Sequence, residues 1–282
     1  MAVDLHTHST ASDGSAAPAE LVEKAVEIGL TALALTDHDT LEGVPAARAA
    51  AAGADLELIP GAELSLDFDT GAMHLLTLWL EPGPGPLQDK LAELRKGRDE
   101  RNERIVGALS GLDMPMSMTE IHDEAGGGAV GRPHIAAVMV RRGYASDISG
   151  AFDEWLAKGR PGYMPRPRLT PEEGVGLARE SGAVPVLCHP HTLGVVDADE
   201  MARTLNRLKA AGLVGLEAVC APYRRHERDG YTWLARRFGL VPTGGSDFHG
   251  AYRPGLELGV GYGDLEVPDS VVDELRERAV SP

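Results

Sequence analysis

The chain has 282 residues, room for one domain of ~250 residues or two smaller ones, and its 43% hydrophobic and 25% charged content excludes a disordered or fibrous protein. Its 27 basic and 43 acidic residues give a net charge of −16, which excludes a broad footprint for duplex nucleic acid and requires any phosphate to be gripped locally. Two cysteines, Cys188 and Cys220, form no CxxC pair, MAVDLHTHST has no leader-like run, and no stretch reaches the ~18 apolar residues of a membrane span, so a cytoplasmic protein without membrane partners is expected.

Short apolar runs alternate with helix-like patterns, which predicts an α/β architecture with mainly parallel strands. Strands are expected at 3–5 (VDL), 31–36 (TALALT), 56–61 (LELIPG), 73–80 (MHLLTLWL), 184–188 (VPVLC), 213–219 (LVGLEAV) and 241–245 (VPTGG). Between them PAELVEKAVEIG, TPEEGVGLARESG and DEMARTLNRLKAAG read as helices closed by glycine. Thr170, Pro171 and Glu173 occupy the N-cap, first-turn and capping-box positions of the second. EPGPGP at 81–86 breaks the alternation, and residues 83–165 read as an inserted helical cap between two α/β segments, 1–82 and 166–282.

Metal-type side chains fall at the strand ends. His6 and His8 follow VDL, His38 follows TALALTD, Glu63 follows LELIPGA, His189 follows VPVLC, and Asp247 with His249 follows VPTGGS. The carboxyl ends of parallel strands converge on one face, where ligands gather. Imidazole and carboxylate together suit zinc, manganese or iron, and a carboxylate can bridge two ions. The polar run Ser9 to Gly14, ending in Asp-Gly, reads as a turn that lets His6 and His8 share an ion. HxH alone is a weak signal and a lone His after a strand is usually a satisfied polar side chain. Five such motifs, each at a strand end, carry the metal reading.

DLHTHSTASDG, ALTDHDT, GAE at 61–63, His74, CHP at 188–190 and GGSDFHG at 244–250 together resemble the polymerase and histidinol phosphatase (PHP) family, in the family's order. GRPHIA at 131–136 resembles its nucleotide-acting members. The resemblance implies a distorted (β/α)7 barrel with an inserted helical cap, phosphoesterase chemistry, and two to three divalent ions, Mn, Fe or Zn. By motif, His6, His8, Glu63 and Asp247 would hold one ion, Glu63 would bridge to a second on His74 and His189, and Asp13, His38 and His249 would hold a third. His134, inside the cap, is assigned to substrate phosphate, and His134 or His226 is the candidate acid for the leaving oxygen.

A phosphate ester repels hydroxide, and clustered metals supply both charge neutralisation and a nucleophile near neutral pH. In LRKGRDERNERIV, a predicted helix, Arg98, Arg101 and Arg104 recur every three residues, and guanidinium forks match phosphate oxygens. On composition alone these arginines read as a solvated face paired with Asp99, Glu100 and Glu103; the resemblance reverses that and makes Arg98, Arg101, Arg132 and His134 substrate contacts. The expected substrate is a small nucleotide or short oligonucleotide, because an aromatic content of 5% offers few stacking platforms, although Trp155 or Tyr163 could stack one base. No protein partner is indicated.

One departure stands out: relatives continue HPGR where this chain has HPHTLG, so His191 and Thr192 replace a small and a basic residue. Arg224, Arg225 and His226 either return that charge or lie on a surface helix. Two other functions compete. An amidohydrolase-like enzyme would want a metal-bridging lysine at a strand end, yet Lys24, Lys90, Lys96, Lys158 and Lys209 all sit in helical patterns. A non-catalytic PHP module would have lost ligands, and this chain keeps nine candidates.

Overall fold

A computed structural model of the chain describes residues 2–126 and 130–279. Its strands are β1 Ala2–Thr7, β2 Leu30–Leu35, β3 Glu57–Leu66, β4 Met73–Leu78, β5 Val184–Cys188, β6 Gly215–Cys220 and β7 Val241–Gly245, hydrogen-bonded in that order. The His8 N–H donates to Phe248 O and the Asp247 N–H to His6 O, both at 2.9 Å, which brings β7 back to β1 and nearly closes a seven-stranded barrel. The expected α/β fold class holds. All neighbouring strands run parallel except β4, which is antiparallel to both β3 and β5.

The barrel is filled by Val3, Leu5, Ala32, Ala34, Ile59, Leu76, Val186 and Val241, and Val271, Val272 and Leu275 of α10 (Ser270–Ala279) join the same apolar cluster. Outside, α1 (Pro18–Glu27) and α2 (Val44–Ala51) bury Leu21, Val22 and Val44 against Leu33 and Leu35 of β2. Leu75, Leu187 and Leu216 are covered by α7 (Pro171–Glu180) and α8 (Ala198–Ala211). The capping box that starts α7 is formed as the sequence predicts: Thr170 Oγ1 accepts the Glu173 N–H at 3.3 Å, and Glu173 Oε2 accepts the Thr170 N–H at 2.9 Å.

Between β4 and α7 lie α3 (Pro86–Ser110), α4 (Met118–Glu124), α5 (Arg132–Arg141) and α6 (Ile148–Ala151), which passes into a wider turn at 152–156. The 25-residue α3 belongs to two cores. Leu87, Leu91 and Leu94 pack on the outer barrel cluster, whereas Ile105 and Leu109 pack with Ile121, Ile135, Val138, Met139 and Leu156 in a separate one. Lys158 lies beyond the helices, in the irregular segment before α7, so its expected helical placement is corrected. The pattern there mimicked a helix, but Gly159, Pro161 and Gly162 stop one. No helix among the described residues is long and apolar enough to cross a membrane.

Two glycines let β7 fit the seam. A Cβ on Gly244 would stand 2.4 Å from the Val219 carbonyl oxygen, and one on Gly245 would stand 2.5 Å from His6 Cβ and 2.6 Å from His6 N. The seam is also tied by Asp4, which accepts hydrogen bonds from Ser246 N at 2.8 Å and Gly259 N at 2.9 Å. Gly245→Ala forces backbone against backbone, with no flexible side chain to yield. It is expected to cost about 1–3 kcal/mol, read as a lower urea midpoint with the far-ultraviolet circular dichroism of the native protein retained.

Candidate active site

β1 supplies His6, and His8 follows its last residue. Asp4 pairs with Leu33 and Thr7 with Leu35, so β1 carries one more residue than β2 over this stretch. Such a bulge re-aims side chains, and it turns His6 away from the face that Asp4 occupies. His6 and His8, two residues apart, then share a face by the strand's own periodicity. The expected turn exists, since Ser9 O accepts the N–H groups of Ser12 and Gly14, but it does not bring the two imidazoles together; its product is the placement of Asp13. Asp37 holds that turn by accepting from Ser9 N at 2.8 Å, Ser9 Oγ at 2.7 Å and Ser12 Oγ at 2.6 Å.

Glu63 lies inside β3, not at a strand end. β3 pairs with β2 only through Pro60, then continues alongside β4 to Leu66, so Glu63 stands just above the end of β2 and beside His38. His74 stands near the start of β4. Because β4 runs against its neighbours, its amino end reaches the face where they place their carboxyl ends. His189 and Asp247 have positive φ of 28° and 56°, a region that His and Asp enter more readily than most side chains, and this local backbone turn directs both into the crevice.

All nine predicted ligands converge. Glu63 Oε1 is 2.8 Å from His74 Nδ1 and 2.9 Å from His189 Nε2; Glu63 Oε2 is 3.3 Å from His6 Nε2, 3.1 Å from His8 Nε2 and 3.2 Å from His38 Nδ1. Asp247 Oδ1 lies 3.5 Å from His6 Nε2, 3.4 Å from His8 Nε2 and 3.4 Å from His249 Nδ1. Asp13 lies 3.7 Å from His8, 3.6 Å from His38 and 3.5 Å from His249. Ligand atoms of His8, Asp13, His38 and His249, of His6, His8 and Asp247, and of His6, Glu63, Cys188 and His189 each lie within 4.8 Å of one another. The buried nitrogens His6 Nε2, His8 Nδ1 and Nε2, His38 Nδ1 and His74 Nδ1 have no hydrogen-bond partner. Orphaned donor atoms of this kind, grouped around carboxylates, fit divalent cations.

Burial opposes charge on Glu63, but His38, His74 and His6 outweigh it and hold the carboxyl well below its usual range. Asp247 is held low in the same way, with His6 the leading neighbour, and accepts a hydrogen bond from Arg253 Nη1 at 2.5 Å. Glu217 of β6 was not anticipated. It is fully buried, contacts His6 Nδ1 at 3.0 Å and so orients that ring, and accepts the main-chain N–H of His189 at 2.7 Å, which holds the backbone from which the second imidazole projects. A lone acid in the apolar run LVGLEAV was its signal. Cys188 was not assigned either; its thiol donates to Glu63 Oε1 at 3.4 Å from below.

Above the cluster a cleft of about 420 Å³ is lined by His38, His74 and Asp13 on the barrel side and by Arg98, Arg101, Arg132, Lys158, Arg166 and Arg168 on the other. Arg98 and Arg101 are buried, while Arg104 turns out to donate to the Pro165 carbonyl. Arg132 donates to Leu156 O at 3.0 Å and lies 5.6 Å from the Phe152 ring and 5.9 Å from the Tyr163 ring. Burial and the guanidinium groups of Arg132, Arg166, Arg98 and Arg168 all oppose the charge of Arg101. His134 Nδ1 accepts the Gly131 N–H at 3.0 Å, and burial lowers its pKa. Trp155 packs against the apolar cluster of Ile105 and Leu109, and Tyr163 lines the cleft. Arg224, Arg225 and His226, at the start of α9 (Arg225–Arg237), are exposed, as the surface-helix alternative has it.

A barrel that gathers imidazoles and carboxylates beneath a cationic cleft defines a metal-dependent hydrolase of phosphate esters. The match to known proteins agrees. The PHP domain model covers residues 4–106. The chain is 36% identical over 262 residues to a 5′-3′ exoribonuclease Rnm of Salmonella typhimurium, covering 91% of this chain and 87% of that one. It is 30% identical over 268 residues to a 3′,5′-nucleoside bisphosphate phosphatase of Chromobacterium violaceum, covering 91% and 90%. A crystal structure of a metal-dependent phosphoesterase from Bifidobacterium adolescentis superposes with a TM-score of 0.85 at 30% identity, over 99% of this chain and 96% of that one. The chain belongs to the PHP family of phosphoesterases.

Asp39, beside His38, clamps α3 and the segment before α7 to the barrel: Arg98 of α3 donates to its Oδ2, and Arg166 Nη1 lies 3.0 Å from the same oxygen. Burial alone would raise its carboxyl, but Arg98 and Arg166 outweigh this and hold it at about 2, below the ordinary 3.8. A carboxyl depressed by folding contributes stability in full above its unfolded pKa and loses it as pH falls through the folded one, here on the order of 2 kcal/mol. The stability difference between wild type and Asp39→Asn should therefore be constant above about pH 5 and shrink between about pH 4 and 2. Urea denaturation across that range measures it, and a difference that does not shrink contradicts the clamp.

Proposed function

We propose that this enzyme hydrolyses phosphate monoesters of nucleotides, taking a nucleoside 3′,5′-bisphosphate or the 5′ end of a short RNA. The observation that carries the reading is Arg101. Its guanidinium is buried in a cleft that opens onto the ligand cluster, with no carboxylate partner among the described residues, in a chain of net charge −16. A buried cation is costly unless an anion joins it. The activities named for the Salmonella and Chromobacterium relatives support a nucleotide as that anion.

In this reading two to three divalent ions, Mn, Fe or Zn, are held by His6, His8, Asp13, His38, Glu63, His74, His189, Asp247 and His249, and their orphaned nitrogens are the support for it. Bound ions supply charge neutralisation and a nucleophile at neutral pH. The cap, residues 83–165, serves recognition. Arg98, Arg101 and Arg132 bind a phosphate remote from the reacting one, as guanidinium forks do. With Nδ1 occupied by the Gly131 N–H, the His134 ring carries its proton on Nε2, from which it can donate to a phosphate or to the leaving oxygen. An amidohydrolase-like reading would want a lysine at a strand end, and Lys158, which lines the cleft above the cluster, stands instead in the irregular segment before α7.

Glu63→Gln removes the charge shared by five imidazoles and is expected to be the most damaging single ligand change, with elemental analysis showing metal content well below that of wild type. A 3′,5′-bisphosphate should be a better substrate than the nucleoside monophosphate. Arg101→Ala should lower kcat/KM on the bisphosphate roughly ten- to hundredfold, and far less on p-nitrophenyl phosphate, which has no second phosphate. Equal loss on both substrates would refute the recognition role.

A further inference from the structure

HPHTLG at 189–194 carries two histidines, and no role given above uses the second. β5 ends at Cys188, and a 3-10 turn over Pro190–Leu193 follows the positive-φ His189, which sets His191 on the wall of a cleft of about 330 Å³ shared with Glu63, His74, His189, Asp247 and His249. Its ring is braced from another part of the chain. His191 Nδ1 is 2.9 Å from the Tyr223 hydroxyl, and the main-chain N–H of His191 donates to the same hydroxyl at 3.3 Å. Tyr223 is itself buried, with Tyr231 stacked on it at 4.9 Å between centroids.

A hydroxyl has one proton to give. With its oxygen accepting the His191 N–H, the Tyr223 hydroxyl can give its proton to Nδ1, and in that tautomer the ring proton is carried on Nε2. That Nε2–H has no protein partner among the described residues, and it belongs to a ring that lines the cleft over the ligand cluster. The Nδ1 contact holds the ring and the main-chain contact holds its backbone to the same hydroxyl, so this donor is pre-organised. A neutral donor also adds no further positive charge beside bound cations, as an arginine would.

We propose that His191 is a phosphate-contacting residue whose Nε2–H donates to a non-bridging oxygen of the phosphate under attack, with Tyr223 as its positioning residue. The proposal rests on the phosphoesterase reading of this cleft but not on the nucleotide. The test uses metal-loaded protein, with orthophosphate binding followed by calorimetry and p-nitrophenyl phosphate turnover measured in parallel. His191→Ala should weaken orthophosphate about tenfold and lower kcat/KM at least as much, with metal content unchanged. His191→Gln, which keeps a donor near the Nε2 position, should retain most of the affinity. Tyr223→Phe should cost roughly threefold alone and nothing further in the His191→Ala background, because its effect passes through the ring.

Unchanged orthophosphate affinity in His191→Ala overturns the proposal. So does metal loss in that variant, or a Tyr223→Phe effect that adds to it. If orthophosphate binds and responds to these variants while no nucleotide is hydrolysed, the nucleotide reading fails and the His191 assignment stands.

Discussion

Both oxygens of Glu63 are buried among imidazoles, two nitrogens within 2.9 Å of Oε1 and three within 3.3 Å of Oε2. Lone pairs facing a carboxylate at that range repel unless a proton or a metal cation lies between them. Protons alone would leave several positive charges in a water-poor site. Burial pulls the His8 ring down, yet Asp247 and Glu63 outweigh it and push it up to about 10. A metal cation takes the place of such protons, so metal binding is linked to proton release. The seam glycines, Asp4 and the bulge in β1 all serve this convergence, since each controls how closely β7 and β1 approach at the level of His6.

The strands VPVLC and VPTGG were legible to the residue, because short buried strands in a parallel sheet are apolar runs bounded by Gly, Pro and polar turns. The nine ligand-type residues were legible for a related reason: polar side chains of one chemical kind recur where those runs stop. Strand direction was not, because periodicity is the same whichever way a strand runs, and so the reversal of β4 that delivers His74 could be known only from the fold. Partners distant in sequence were also hidden. Asp4 meets Ser246 and Glu217 meets His6 more than 200 residues away, and each appears in the sequence as an isolated acid in an apolar run. Arg166 and Arg168 were hidden by their setting, GRPGYMPRPR, which reads as punctuation after a helical region; only the fold folds that segment back over the cleft.

The acidic surface and the cationic cleft describe one electrostatic design. A net charge of −16 discourages indiscriminate contact with polyanions, while five guanidinium groups and Lys158 concentrated on one wall provide a local minimum for a small anion. Asp39 prevents this wall from being only repulsive, because it neutralises part of the charge on Arg98 and Arg166 and leaves Arg101 as the cation most in need of a counterion.

The reversed strand also explains the length of α3. Since β4 descends from the mouth of the barrel, the chain leaves its last residue at the far end and must climb back. Six residues of strand cover about 20 Å, and the thirteen helical residues from Pro86 to Arg98 rise about the same distance. The helix therefore acts as a ruler laid along the outside of the barrel, reaching the level of the metal-type residues at Arg98 and projecting past the rim from there on. One residue inserted below that point would lift both arginines by about 1.5 Å and swing them about 100° around the helix axis, away from Asp39 and the cleft, although every side chain in the site was still present.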